Sequence, residues 1–240
     1  MGRTVLVSGA ASGLGLEFLQ RYSTESSSNQ IYGIDINPLS KGDEAENITF
    51  LQVDITSESS LKDLTASLAN KPIDLLIHSA GIRGLVPDPE RQHHGDIAAC
   101  ETLGVMTPET MQKTFAVNSV GTFNLIKALL PNLRKSANSK VVVISSRMGS
   151  IGQNTSGSAY AYRASKAAQN SVVKSFSIDV PEVAFILCHP GRVETGLVQW
   201  KEEGAISVEE SVSGLLPLIE RWGESDSVKF YDRFGEPILW

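Results

Sequence analysis

Short apolar runs recur along the chain, separated by longer stretches in which apolar residues return every three or four positions. The runs are TVLVS (4–8), IYGID (31–35), ITFLQVD (48–54), IDLLIHSAG (73–81), KVVVISS (140–146), VAFILCHPG (183–191) and VKFYD (228–232). Most are rich in Val, Ile and Leu without polar alternation, which is how strands buried on both faces read. The stretches 13–23, 57–70, 107–131, 158–178 and 207–222 carry helical periodicity. Alternation of strand and helix means βαβ units. The expected fold is therefore α/β, one domain over 1–240 with a doubly wound, seven-stranded parallel sheet flanked by helices. STESSSNQ (23–30) reads as a polar loop. The segment 82–108 is longer than an ordinary connection and is expected to be a substrate lid or a decorative insertion. His93 and His94, within it, read as solvated loop residues.

Composition narrows the partners. With 240 residues, 41% of them hydrophobic, the chain can build one full-sized core. A net charge of -6 argues against nucleic acid or an anionic membrane as the main partner. Cys100 and Cys188 are too few for a disulfide framework or a metal knuckle, and no metal site is expected. Cys188, inside VAFILCH, reads as a small buried hydrophobe. No apolar run reaches a membrane span, and the first residues run straight into a strand without a signal peptide. The chain begins Met-Gly, but Leu6 breaks the myristoylation pattern. The expectation is a soluble, cytoplasmic protein.

Candidate chemistry lies at the strand ends. VLVSGAASGLGLEF puts Gly9, Gly13 and Gly15 where the first strand turns into a helix. Glycines let backbone approach a pyrophosphate, and the helix N-terminus presents free N–H groups with a positive dipole end. A tight turn without a ligand is the plain alternative. Asp35 ends the second strand, placed to accept hydrogen bonds from an adenosine ribose and to repel a 2′-phosphate; an ordinary loop-capping aspartate is the plain alternative. No Lys or Arg lies in 9–15 or at 36–37, so NAD(H) is preferred and NADP(H) less favoured. Asp54 either meets an adenine amino group or caps the following helix. In GSAYAYRASKAAQ (157–169), Tyr162 and Lys166 are four apart and share a helical face, whereas Tyr160 is six from Lys166 and does not.

Together these residues resemble a short-chain dehydrogenase/reductase over essentially the whole chain. SGAASGLG (8–15) is similar to the family's Thr-Gly-x-x-x-Gly-x-Gly, and HSAG (78–81) stands where the family has Asn-Asn-Ala-Gly, with His78 departing from it. VNSVG (117–121) supplies the helix asparagine, ISSRMGS (144–150) the serine, YRASK (162–166) the Tyr-x-x-x-Lys pair, and HPGRVET (189–195) the Pro-Gly turn. SSRMGSIGQNTSGSAYAYRASKAA and FYDRFGEPILW look like the C-factor and Sniffer-type carbonyl reductase branch. The separation of Ser146 from Tyr162 is longer than in many members, which leaves Ser145 and Ser150 as the next candidates.

The resemblance implies a Rossmann fold, with 1–140 mainly holding dinucleotide and 141–240 carrying catalysis and substrate. It implies catalytic Asn118, Ser146, Tyr162 and Lys166. Tyr162 would be the general acid or base, Lys166 would stabilise its phenolate and bond the nicotinamide ribose, Ser146 would hold the substrate oxygen, and Asn118 would anchor a water for proton exchange. The implied cofactor site is Gly9, Ser12, Gly13, Leu14, Gly15, Asp35, Ile36, Asp54, Ile55, Ser79, Ala80, Gly81, Asn118, Tyr162, Lys166, Pro190, Gly191, Val193 and Thr195. The substrate would be a small alcohol or carbonyl compound, with 196–206 as a flap. Leu85, Val86, Met148, Ile151, Leu197, Val198 and Trp200 suggest an apolar pocket. Phe176 and Ile178 are expected in the core. A homodimer or homotetramer would pair through the helices carrying Asn118 and Tyr162. A non-catalytic dinucleotide sensor, or an isomerase or cyclase on the same fold, remain the alternative functions.

Overall fold

The run Thr4–Ser8 forms the first strand, β1, buried at every position in a computed structural model that describes residues 2–92, 95–198 and 203–240. Around it lie β2 (Gln30–Asp35), β3 (Ile48–Gln52), β4 (Leu75–His78), β5 (Lys140–Ile144), β6 (Ala184–His189) and β7 (Phe230–Asp232). The order is β3-β2-β1-β4-β5-β6-β7, and every pair is parallel. All seven expected strands form, mostly trimmed at their C-terminal ends, where the chain leaves the ladder to build the site.

The helices are α1 (Gly13–Glu25), α2 (Glu58–Ser67), α3 (Pro87–Gln92), α4 (Pro108–Phe115), α5 (Thr122–Leu133), α6 (Tyr160–Asp179) and α7 (Val208–Arg221). They cover both faces, as strands without polar alternation require. Phe18, Leu19 and Tyr22 of α1 join Val212, Leu215 and Ile219 of α7 over one face. Leu125, Leu129 and Leu133 of α5 join Val173 and Phe176 of α6 over the other. Ile178, expected in this core, is 64% exposed. Two residues past Phe176 it has turned about 200° around the helix and faces outward. Cys188 is fully buried, as expected.

The single helix expected over 107–131 is interrupted. Between α4 and α5, Ala116–Gly121 forms a wide turn of π-helix. Such turns insert one residue into the hydrogen-bond ladder and often sit at functional sites. Helix starts follow ordinary capping: the side chains of Ser57, Thr107 and Ser207 accept N–H groups at the heads of α2, α4 and α7. Asp54 does not cap α2. Its Oδ1 accepts from the Thr56 N–H and hydroxyl at 2.8 and 2.7 Å, and Ser57 takes the cap.

Candidate active site

The chain order reverses at β1, which has β2 on one side and β4 on the other. A crevice opens beyond the carboxyl ends of parallel strands at such a reversal. A cavity of about 1040 Å3 lies there. It is lined by Ser8 at the end of β1, Asp35 at the end of β2, Asp54 after β3, Ser79–Gly81 after β4, Ser145 and Ser146 after β5, and Pro190–Val193 after β6.

The glycine turn forms part of this lining. Gly9 has φ +71°, a conformation open to glycine. A Cβ there would stand 2.7 Å from the Ala80 nitrogen, so two backbone turns meet with no room for a side chain. A Cβ on Gly15 would stand 2.0 Å from the Gly9 carbonyl oxygen. Gly15 therefore serves the docking of α1 on its own turn; unlike Gly9 and Gly13 it does not line the cavity. Ser12 precedes α1, but its side chain makes no capping bond and the first turn holds no acidic residue. Among the described residues, the first N–H groups of α1 thus have no side-chain acceptor at an end of positive potential. This cradle suits a phosphate group. Asp35 lies beside it, its Oδ2 accepting from Ala11 N at 3.1 Å and its Oδ1 from Asn37 N at 2.9 Å. Ile36, Ile55 and Leu14 also line the cavity, as do Thr195 and Gly196, with the Thr195 side chain 3.2 Å from where a Cβ on Gly13 would stand. The donor set and the shape fit a dinucleotide.

Ser146, Tyr162 and Lys166 line the same cavity. Tyr162 is 7% exposed, whereas Tyr160 is 38% exposed and outside the lining. The helical spacing thus separates the two. Lys166 is buried, with Nζ 5.8 Å from the Tyr162 ring centroid. Nζ donates to the Ile144 carbonyl at 3.0 Å and to Gln169 Oε1 at 2.9 Å. Burial pushes the ammonium down from an ordinary 10.5 to about 7. Among the serines, Ser145 donates to Asn170 Oδ1 at 2.6 Å and is committed there. Ser146 Oγ accepts from Met148 N at 3.2 Å, which leaves its hydroxyl proton for another acceptor. Ser150 Oγ accepts from Gln153 N and lies outside the lining.

Asn118 is fully buried in the π-turn and does not line the cavity. Its amide brackets Ile82, accepting from Ile82 N and donating to Ile82 O, both at 2.8 Å, and donates also to Ser165 Oγ at 3.0 Å. Asn118 thus ties the loop after β4 to α6.

Some site residues escaped the sequence reading. Arg83 lines the cavity with its guanidinium 4.8 Å from the Tyr162 ring centroid. It makes a two-pronged pair with Glu101, at 2.9 and 2.8 Å, and donates to Met148 Sδ. The Glu101 carbonyl accepts from Ala159 N and Ser158 Oγ, just where Ser158 and Ala159 take positive φ before α6. Arg83 and Glu101 thereby brace the head of the helix that carries Tyr162. Arg83 follows Gly81 by two residues, but its partner lies 18 residues on, and no local pattern announces such a pair. His189 lines the cavity too; burial foremost, then Arg147, pushes it down to about 4.

Of the expected pocket side chains, Met148 and Leu197 line the cavity; Leu85, Val86, Ile151 and Val198 do not. Ile151 is 77% exposed. Trp200, His93 and His94 lie outside the described residues. So do residues 199–202 of the expected flap, whose base is tied by Glu194 N to Ile206 O and Ile206 N to Arg192 O, both at 2.9 Å.

A family profile described as short chain dehydrogenase matches residues 3–205. C-signal of Myxococcus xanthus is 34% identical over 182 residues, 75% of this chain and all of that protein. The 1-hydroxy-2-glutathionyl-2-methyl-3-butene dehydrogenase of Rhodococcus sp. (strain AD45) is 32% identical over 78% of each chain. An NADPH-bound carbonyl reductase from chicken fatty liver superposes with a TM-score of 0.86 at 26% identity, covering all of this chain and 94% of the other. Carbonyl reductase Sniffer of D. melanogaster gives 0.82 at 24% over both whole chains, a likeness of fold.

Proposed function

This chain belongs to the short chain dehydrogenase family, and from that we propose that it is an NAD(H)-dependent oxidoreductase interconverting a secondary alcohol with a ketone, or a primary alcohol with an aldehyde. The observation that carries the reading is that Ser146, Tyr162 and Lys166 line the same cavity as the glycine turn and Asp35. A bound nicotinamide supplies the hydride donor or acceptor.

The protein supplies the proton and the placement. In reduction, Tyr162 donates its phenolic proton to the carbonyl oxygen, and in oxidation it takes that proton back. A free phenol is a poor base at neutral pH. Positive charge beside it favours the phenolate, and both Lys166 and Arg83 stand against the Tyr162 ring. Ser146 turns its free hydroxyl proton to the same substrate oxygen and holds it against Tyr162. Asn118, with its amide taken, acts by fixing Ile82 and Ser165. Met148 and Leu197 give the wall apolar surface for a small hydrophobic substrate.

Asp35 supports NAD(H): a 2′-phosphate would bring a second negative charge to its carboxylate, with no basic residue in 9–15 or at 36–37 to offset it. The chicken carbonyl reductase is NADPH-bound, so the point is tested directly by titration, following nicotinamide fluorescence. Wild type is expected to bind NADH about tenfold or more tighter than NADPH, and Asp35→Ala to lose about tenfold in NADH affinity, the worth of a charge-assisted hydrogen bond. Equal or tighter NADPH binding removes Asp35 as the selector. Binding of neither removes the oxidoreductase reading.

The reading extends to assembly. Met111, Phe115, Val120 and Phe123 are 38–44% exposed along the helical run from α4 to α5. We assign this apolar strip to a homodimer contact.

A further inference from the structure

Behind Lys166 lies a line of buried polar side chains: Gln169, Thr122, His78 and Ser8 are each 0% exposed. Every link is short. Lys166 Nζ meets Gln169 Oε1 at 2.9 Å, and Gln169 Nε2 meets Thr122 Oγ1 at 2.8 Å. Thr122 Oγ1 meets Asn118 O and His78 Nε2, each at 2.7 Å, and His78 Nδ1 meets Ser8 Oγ at 2.7 Å.

Only one assignment of protons satisfies every contact. An ammonium can only donate, so Gln169 presents Oε1 to Lys166 and Nε2 to Thr122. The Thr122 hydroxyl has one proton, and the Asn118 carbonyl requires it. His78 Nε2 must then donate to Thr122, which makes Nδ1 the acceptor for the Ser8 hydroxyl. Thr122 accepts twice and donates once, its full capacity. Gln169 has no freedom to turn, because the flip sets donor against donor at Lys166 and acceptor against acceptor at Thr122.

We propose that Gln169 is a positioning residue for the carbonyl–alcohol reaction, fixing the Lys166 ammonium beside Tyr162 while Thr122 and His78 hold Gln169 in place. The proposal rests on the oxidoreductase reading above. Lys166 is a long side chain whose other hydrogen bond among those described goes to the Ile144 carbonyl, so Gln169 sets the second direction. The position lies three residues after Lys166, on the same face of α6. An apolar residue there would pack equally well in a buried site; an amide makes sense where an acceptor is needed.

The test uses NADH-driven reduction of benzaldehyde and acetophenone by wild type, Gln169→Met, Thr122→Val and Thr122→Ser, with thermal unfolding of each. Gln169→Met keeps the volume and removes the acceptor. Its kcat is expected to fall about tenfold or more while the carbonyl KM stays within about threefold, the mark of a misplaced reacting group and not of lost binding. Thr122→Val is expected to lower kcat in the same way, and Thr122→Ser, which keeps the hydroxyl, to recover it. Should Gln169→Met fail to fold, the valine–serine pair decides alone. Wild-type turnover with kcat of Gln169→Met, or of both Thr122 variants, within about twofold overturns the proposal and leaves the oxidoreductase reading standing. Absence of wild-type turnover strikes that reading itself, and this inference with it.

Discussion

His78 occupies the end of β4 with both ring nitrogens engaged and no exposed surface. Burial foremost, then the charge of Lys166, pushes it down to about 3 from an ordinary 6.5. Between those values the unfolded chain binds a proton that the folded chain refuses, so stability falls as pH drops below 6.5. His189 acts in the same direction down to about 4. Lys166 is charged in both states below about 7, so its burial penalty is constant there and is relieved only as pH rises from about 7 toward 10.5. Urea unfolding between pH 6.5 and 5 is therefore expected to lose stability with acid, each histidine contributing up to about 1.4 kcal/mol per pH unit. His78→Asn should remove about half of that slope; an unchanged slope contradicts a neutral, buried His78. At this scale the sequence was read in part. Tyr162 stood out from Tyr160 by spacing alone, because helical geometry is local. His78 stood out as a departure, but its partners Ser8 and Thr122 lie 70 and 44 residues away, and only the folded chain brings them together.

The strands and most helices were legible because burial on two faces writes itself into the sequence as unbroken apolar runs. The π-turn at Ala116–Gly121 was not, since its composition resembles ordinary helix and its cause is tertiary: Asn118 and Ser119 are both bonded to α6 through Ser165. Gly15 was legible as part of a glycine pattern but not in its role. It packs α1 against the turn that starts it, and a methyl group there has no space beside the Gly9 carbonyl. Gly15→Ala is expected to cost about 1–3 kcal/mol by denaturant unfolding and to weaken NADH binding, because the head of α1 moves. A variant of wild-type stability and affinity would show that the turn tolerates the shift. The brace from Arg83 through Glu101 to the head of α6 was likewise hidden.

For the whole molecule, the doubly wound sheet puts the ends of β1 to β6 into one crevice, so residues from six connections meet in a single cavity. No helix among the described residues is long and apolar enough to cross a membrane. The exposed strip of Phe115, Val120 and Phe123 should pair two copies; light scattering is expected to give the mass of a dimer or its multiple, and Phe115→Glu to shift it toward monomer. A monomeric wild type would contradict that contact. The account as a whole turns on Tyr162. Its most direct test is the rate of NADH oxidation with benzaldehyde and acetophenone by wild type and Tyr162→Phe, with NADH affinity measured alongside. Turnover by wild type, a loss of about 100-fold to 10,000-fold in kcat for Tyr162→Phe, and NADH affinity within about threefold are the expected results. Wild-type turnover that survives in Tyr162→Phe would contradict the account.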